Sequence, residues 1–333
     1  MAVTIKDVAK LANVSPSTVS RVISESSRIS QSTKDIVYKA METLQYKPNA
    51  IARSLANAST KTLGLIIPSK DENLFKNPFF IQAMRGISLY AQKKNYKIMF
   101  NYSGNPQEEL HFLREFVNAK WVDGIVLLTA YENDLCIDYL NREAFPFVVI
   151  GRPHNVNDIM WVDNDNFQAT YQVVNTLIQK GCQEIAYIGG PQNYVFSKDR
   201  LEGYRRALEL RNIVCHPEII MEMDDFTEVL GYEAMASICE HRVPQAVVTT
   251  DDLLAIGVLK YIHERELQVK VSGFNNIPLS EYQRPSLSTV DIRAEELGYQ
   301  AARLLIDSLE GLEVPVNHFI VATDWIERDS TKV

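Results

Sequence analysis

Cysteines are few and scattered in this chain, long apolar runs are missing, and the familiar signatures of catalysis do not occur. Cys136, Cys182, Cys215 and Cys239 form no C-x-x-C pair, so neither a zinc site nor a disulfide framework is expected, and a reducing cytoplasm is the expected setting. The longest apolar stretches, such as GIVLLTA at Gly124 to Ala130, fall short of the roughly 20 residues a membrane helix needs. No apolar targeting segment follows Met1, so no secretory signal is expected. There is no G-x-S-x-G elbow, no glycine-rich phosphate loop and no H-E-x-x-H, and the six histidines are not paired at ligand spacing. The dipeptide Gly189-Gly190 is read as an isolated turn. An enzyme is therefore not expected, nor a metal or cofactor.

What remains is ordinary for a globular protein: 46% hydrophobic and 23% charged residues over 333 positions, enough for two or three domains. The formal net charge of −8 hides an asymmetry. Residues 1–60 carry eight basic and four acidic side chains, whereas the remaining 273 carry 26 basic and 38 acidic ones. A small basic head on an acidic body suggests a nucleic-acid module joined to something else.

The head reads as three short helices. Thr4 and Asp7 stand at capping-box spacing before Ile5, Val8, Ala9 and Ala12. Asn13 suits a sharp turn, and Ser15 can cap a second helix that has Pro16 at its first position. Val19, Val22 and Ile23 form that helix's buried stripe, leaving Ser17, Thr18 and Arg21 on the outer face. Ser30 caps a third helix with Ile36, Val37, Ala40, Met41 and Leu44 as its expected core face. Two helices and a tight turn, completed by a third, make a helix-turn-helix whose second helix enters the major groove of double-stranded DNA. Arg21 can grip guanine bidentately, while Ser15, Ser17 and Thr18 reach base edges or phosphates. The following segment, Asn49 to Ser59, is too short to hold a helix alone. Paired with a second copy over the minor groove, Asn49 would cap it, Ala52 would permit close approach, and Leu55 would wedge between base steps.

From Thr62 onward buried runs and amphipathic stretches alternate, restart after MWVDNDN, and predict two similar lobes, each a parallel sheet with helices on both faces. A ligand is expected in the cleft beyond the carboxyl ends of the strands. Asn77 and Phe79 in the first lobe, and Arg200, Phe226, Asp251 and Asn275 in the second, stand at such ends. A guanidinium fork, small polar groups and aromatic faces suit a sugar. Tyr131, Trp161, Tyr194 and Phe196 could add aromatic platforms, Phe80 is equally suited to core or cavity, and Asp252 reads as a helix N-terminal residue.

Taken together, TIKDVAKLANVSPSTVSRVIS, YKPNAIARSLA, LGLIIP, NPFF, DGIVLL, DRLEGYRRAL and DDLLAIGVL resemble the LacI/GalR family of sugar-responsive bacterial regulators, from residue 2 nearly to the end. The resemblance implies an all-α helix-turn-helix head at 1–48, a hinge helix or linker at 49–60, and a periplasmic-binding-protein-like α/β effector and dimerisation domain at 61–333. Its first lobe would comprise about 61–160 plus 290–319, and its second about 161–289 plus 320–333. It also implies a homodimer or a tetramer on a palindromic operator, and effector contacts at the strand-end residues above. Two departures stand out: Asn275 and Asn276 replace a position where an aspartate is common, and ERELQVKVSGF is several residues short. NPFFIQAMRGISLYAQKKNY, FPFVVIG and KGCQEIAYIGG are most similar to the branch controlling maltose operons, so the expected effector is maltose or a maltodextrin. Three alternatives are a regulator answering another sugar, a global catabolite regulator with a phosphorylated carrier protein as corepressor, and a transport binding protein. The helix FFIQAMRGISLYAQKK offers the carrier only Arg85, Lys93 and Lys94. A transport protein would have no use for the basic head.

Overall fold

A computed structural model describes residues 3–24, 28–46, 59–68 and 78–332. The chain divides into two compact units: residues 1–62 together with 116–123, and residues 63–115 together with 124–333.

The first unit holds α1 (Ile5–Leu11), α2 (Pro16–Ile23) and α3 (Gln31–Thr43). Thr4 and Asp7 close a capping box at α1, the Thr4 amide donating to Asp7 Oδ2 at 2.8 Å. Asn13 takes φ 53°, the left-handed bend that brings α2 back on α1. Ser15 Oγ then accepts from the Thr18 amide, and Ser30 Oγ does the same for Thr33 in α3. Val8, Ala9, Ala12, Val19, Val22, Val37 and Ala40 make the buried core. Ile36 does not join them: it is 53% exposed, because Val37 and Ala40 already fill the narrow stripe that α3 presents to α1 and α2. The same unit holds a tether, in which Asp123 accepts hydrogen bonds from Ser59 Oγ, Thr60 N and Oγ1, and Lys61 N, all within 2.8 Å.

The second unit is built on two six-stranded sheets. The first contains β1 (Thr62–Pro68), β2 (Lys97–Ser103), β3 (Gly124–Leu127), β4 (Phe147–Ile150), β5 (Met160–Asn164) and β11 (His318–Val321), in the order β11-β5-β4-β3-β1-β2. The second contains β6 (Ile185–Gly189), β7 (Ile220–Glu222), β8 (Ala246–Thr249), β9 (Lys270–Phe274), β10 (Ser288–Asp291) and β12 (Asp324–Ile326), in the order β12-β10-β9-β8-β6-β7. Pairing is parallel from β6 through β10, and only β12 runs antiparallel. Inner strands such as β3, β4, β6 and β8 are buried along their length, as strands covered on both faces must be.

The covering helices pack through glycine. In the first lobe α4 (Pro78–Lys93) lies against α12 (Ala294–Leu309), and a Cβ on Gly86 or Gly298 would fall within 2 Å of a carbonyl oxygen of the other helix. The remaining helices are α5 (Pro106–Asn118) and α6 (Leu135–Arg142) in the first lobe's sequence, then α7 (Asn166–Gln179), α8 (Val195–Glu209), α9 (Glu228–His241), α10 (Asp252–Glu264) and the short α11 (Pro278–Glu281).

The chain passes between the sheets three times, after β5, β10 and β11. Residues 161–164 therefore stand in the first lobe and residues 290–291 in the second, a few positions from the expected boundaries. The second lobe is expected from about residue 161, whereas β5 continues through the acidic run to pair with β4 and β11. Asn164 ties the crossings together, donating through Nδ2 to the carbonyls of Ile292 at 3.1 Å and Val321 at 2.9 Å.

Candidate functional site

Two sites emerge, one in each unit. In the first, Ser17 and Arg21 lie exposed on one face of α2 and Thr18 is half-buried beside them. The Ser15, Ser17 and Thr18 hydroxyls form a local cluster, with Ser15 Oγ 2.7 Å from Ser17 Oγ and 2.9 Å from Thr18 Oγ1. That cluster fixes the start of α2 and leaves the Arg21 side chain outside it, open to solvent. Asn49, Ala52 and Leu55 lie outside the described residues.

The second site is a cavity of about 590 Å³ at the carboxyl ends of both sheets, within the roughly 300–1,000 Å³ usual for small-molecule sites. Its polar end is built from strand ends. Arg200, on α8, is 5% exposed and forms no ion pair among the described residues; Nε donates to Asn166 Oδ1 at 2.9 Å and Nη1 to the Thr250 carbonyl at 2.7 Å. Its Cζ stands 3.7 Å from the centre of the Phe274 ring and 4.7 Å from that of Phe196. Burial lowers its pKa to about 10, so it stays charged at neutral pH.

Asp251 follows β8 and caps α10, accepting from the Leu253 amide at 2.7 Å and from Asn275 Nδ2 at 2.8 Å. Burial and then the neighbouring Asp252 push its carboxyl up to about 8, against the Leu253 amide, Arg200 and Asn275. Asp252 does more than favour a helix terminus: it is fully buried and accepts from Thr289 Oγ1, Ile277 N and Ser280 Oγ, pinning β10 and α11 behind the cavity. Asn275 sits at φ 110° and Asn276 at φ 53°, and Asn276 is engaged by Asp291 and Arg328.

The other end is aromatic. Tyr194 and Phe196 stack with centroids 5.1 Å apart, Phe226 lies 6.1 Å from both, and Tyr131 from the first lobe meets Tyr194 at 4.9 Å. The lobes join here, since Tyr131 and Tyr194 form an isolated antiparallel bridge and the Glu132 amide donates to the Asn193 carbonyl at 2.9 Å. Phe79 and Phe80 pack edge to face at 5.3 Å and both line the cavity while resting on the core.

Residues 4–49 match the bacterial regulatory proteins, lacI family, and residues 174–331 match the periplasmic binding protein-like domain. The chain is 41% identical over 303 residues to the HTH-type transcriptional regulator MalR of Streptococcus pneumoniae, covering 90% of each protein. This chain belongs to the LacI family. It is a LacI-family DNA-binding transcriptional regulator with a helix-turn-helix head and two parallel-sheet lobes. Among solved structures, the transcriptional regulator CelR in complex with cellobiose matches with a TM-score of 0.77 at 28% identity, covering 98% of this chain and 99% of that one. The lac repressor dimer bound to operator and the anti-inducer ONPF shares the fold, with a TM-score of 0.83 at 23% identity over 99% of both chains.

In this LacI-family chain the cavity brings together Phe79, Arg200, Phe226, Asp251 and Asn275, whereas Asn77 lies outside the described residues. Trp161 is not part of it: the indole is buried, stacks on His318 at 4.8 Å and donates to the Val156 carbonyl. Asp163 and Glu109 line the cavity and escaped the sequence reading, as did the role of Gly190 behind the lining. Asp163, at the end of β5, accepts from Asn164 N and Asn166 Nδ2 through Oδ1 and leaves Oδ2 buried without a partner among the described residues. The strand-end rule that selected Asp251 would have found it. Gly190 has a Cβ position 2.0 Å from Phe226 Cε1, and so makes room for that ring. Glu109 lies on a helix, where strand-end reasoning does not look.

Proposed function

We propose that this protein represses a sugar-utilisation operon in the cytoplasm, and that a small sugar, maltose or a maltodextrin, controls its grip on a palindromic operator. A homodimer, or a tetramer, presents two heads in which Ser15, Ser17, Thr18 and Arg21 contact one half-site each, with Asn49, Ala52 and Leu55 acting at the minor groove. Residues 1–48, 49–60 and 61–333 divide this labour as head, hinge and receptor.

The observation that carries the reading is the two-ended cavity. Its stacked Tyr194, Phe196 and Phe226 rings suit the C–H faces of a pyranose, and Arg200, Asp251 and Asn275, with Asp163 beside them, supply the paired donors and acceptors that hydroxyls need. Asn77 and Phe79 complete the proposed effector contacts. The likeness to the regulator MalR supports an α-glucoside as that sugar. A carrier-protein corepressor is disfavoured by the helix it would need. On α4, Arg85 pairs with Glu295, Lys94 pairs with Asp307 and Glu310, and Lys93 lies over Tyr90, so the cations a phosphoserine would seek are engaged.

Mechanism follows from linkage. Sugar favours one arrangement of the lobes and operator another, so each weakens the other's binding by the same factor, about 5–150-fold for a coupling of about 1–3 kcal/mol. Titrating maltose, maltotriose, glucose and a phosphorylated carrier protein against operator affinity at one fixed salt concentration tests this. Weakened binding with the glucosides alone is the expected result. A response to the carrier and none to any sugar rejects it.

A further inference from the structure

Glu109 is 4% exposed and lines the cavity, yet no hydrogen bond or ion pair reaches its carboxyl among the described residues. Its oxygens are not sealed within the protein, unlike Asp163 Oδ2, and so open onto the cavity, where hydroxyl donors of a ligand can reach them. The groups that interact electrostatically with it are Asp134 at the start of α6, the phenols of Tyr131 and Tyr194, and the Cys136 thiol. Among the described residues no cation is one of them. Asp134 is committed elsewhere, accepting from the amides of Cys136 and Ile137.

Glu109 also stands apart from the polar end. It acts on Tyr131 and Tyr194, whereas Arg200, Asp163 and Asp251 act on one another and not on it. Between the two ends run the stacked rings of Tyr194 and Phe196, with Arg200 Cζ over the latter. The cavity thus has a polar group at each end and an aromatic floor between them.

We propose that Glu109 is the specificity-determining group of a second sugar subsite, which makes the receptor select a disaccharide or longer glucoside over a monosaccharide. The first ring binds at the Arg200, Asp251 and Asn275 end; the second lies on the aromatic floor and donates two neighbouring hydroxyls to the Glu109 carboxylate. A monosaccharide reaches only one end and leaves Glu109 as it is. This rests on the cavity being a sugar site.

A proton readout accompanies the contact. Burial, and secondarily Asp134, raise the Glu109 carboxyl to about 8. Accepting two hydroxyls favours the ionised form, so disaccharide binding at pH 7 releases a proton and tightens as pH rises toward about 8.

The test is calorimetry on the full chain with maltose and methyl α-glucoside, in two buffers of different ionisation enthalpy, for the wild type, Glu109→Gln and Glu109→Ala. The expected result is a loss of about tenfold or more in maltose affinity for Glu109→Ala, with the monosaccharide changed by less than about twofold. Asp251, whose carboxyl is also raised to about 8, contributes proton release with either sugar, so the extra release that maltose shows over methyl α-glucoside in the wild type should vanish in Glu109→Gln, which removes a buried ionisable group and should fold at least as well, as its urea curve will report. Equal losses for both sugars, unaltered maltose binding in both variants, or tighter binding of an amino sugar than of maltose overturns the proposal. If the wild type binds no saccharide, the sugar reading falls and this falls with it; unaltered maltose binding in the variants removes this inference alone.

Discussion

Gly190 leaves the space that the Phe226 ring occupies: a Cβ at position 190 would lie 2.0 Å from Phe226 Cε1 and 2.2 Å from Cζ. Phe226 is held from the other side by Phe196 and Tyr194. The ring can yield only toward the cavity. Gly190→Ala should therefore reduce sugar affinity about tenfold or more while leaving operator binding intact, because the head is untouched. Gly190→Ala combined with Phe226→Leu should restore part of the loss. Unchanged affinity in the single variant, measured by calorimetry, would show that the ring has another place to go.

The carboxyls of the cavity make stability depend on pH in a direction opposite to that of an ordinary salt-bridged acid. Asp251 has a folded pKa of about 8 against about 3.9 for an aspartate in water, so its contribution is fully present below about pH 4 and is lost as pH rises through about 8. Urea midpoints should fall between about pH 6 and about pH 8.5. Asp251→Asn should flatten that slope, since an asparagine Oδ1 can still cap α10, and the slope left behind belongs largely to Glu109. A variant with the wild-type slope would place the titration elsewhere.

How much of this was legible beforehand depends on whether the signal is local. The caps at Thr4, Ser15 and Ser30 and the turn at Asn13 are decided within four residues, and each formed as read. Asp251 and Asn275 could be found because strand ends can be located in one dimension; Arg200 was expected at a strand end as well, but it stands in the second turn of α8. Ile36 misled because it adjoins the true core position Val37, and a helix turns about 100° per residue, so the next residue leaves the stripe. Trp161 misled for a related reason: a tryptophan near a strand end can point into the core as readily as into the cavity, and this one stacks on His318. Glu109 was invisible because its role exists only after both lobes close on one space, and Gly190 because its contact with Phe226 joins residues far apart in the sequence.

Asn164 offers a test of the crossings. Its amide satisfies the carbonyls of Ile292 and Val321, which lie on the other two connections between the lobes. Asn164→Leu strands both buried acceptors at a cost of about 1–3 kcal/mol each. The expected outcome is a marked drop in urea midpoint together with weaker coupling between sugar and operator. Loss of stability with full coupling would make Asn164 a purely structural knot.

The head separates reading from folding in two neighbouring positions. Arg21 is exposed on α2, outside the hydroxyl cluster, so Arg21→Ala should leave the melting of the head unchanged. It should cost roughly 1–3 kcal/mol of operator binding and relax preference at one base pair in each half-site. Ser15 accepts the Thr18 amide at 3.1 Å, and Ser15→Ala removes that cap, worth about 1 kcal/mol of helix stability. Its effect should fall on all sequences alike and appear in thermal melts without DNA. Binding measured across a panel of single-base operator variants at constant salt distinguishes the two. A uniform loss for Arg21→Ala, with every variant weakened equally, would reduce the arginine to a phosphate contact and move base reading to Ser17 and Thr18.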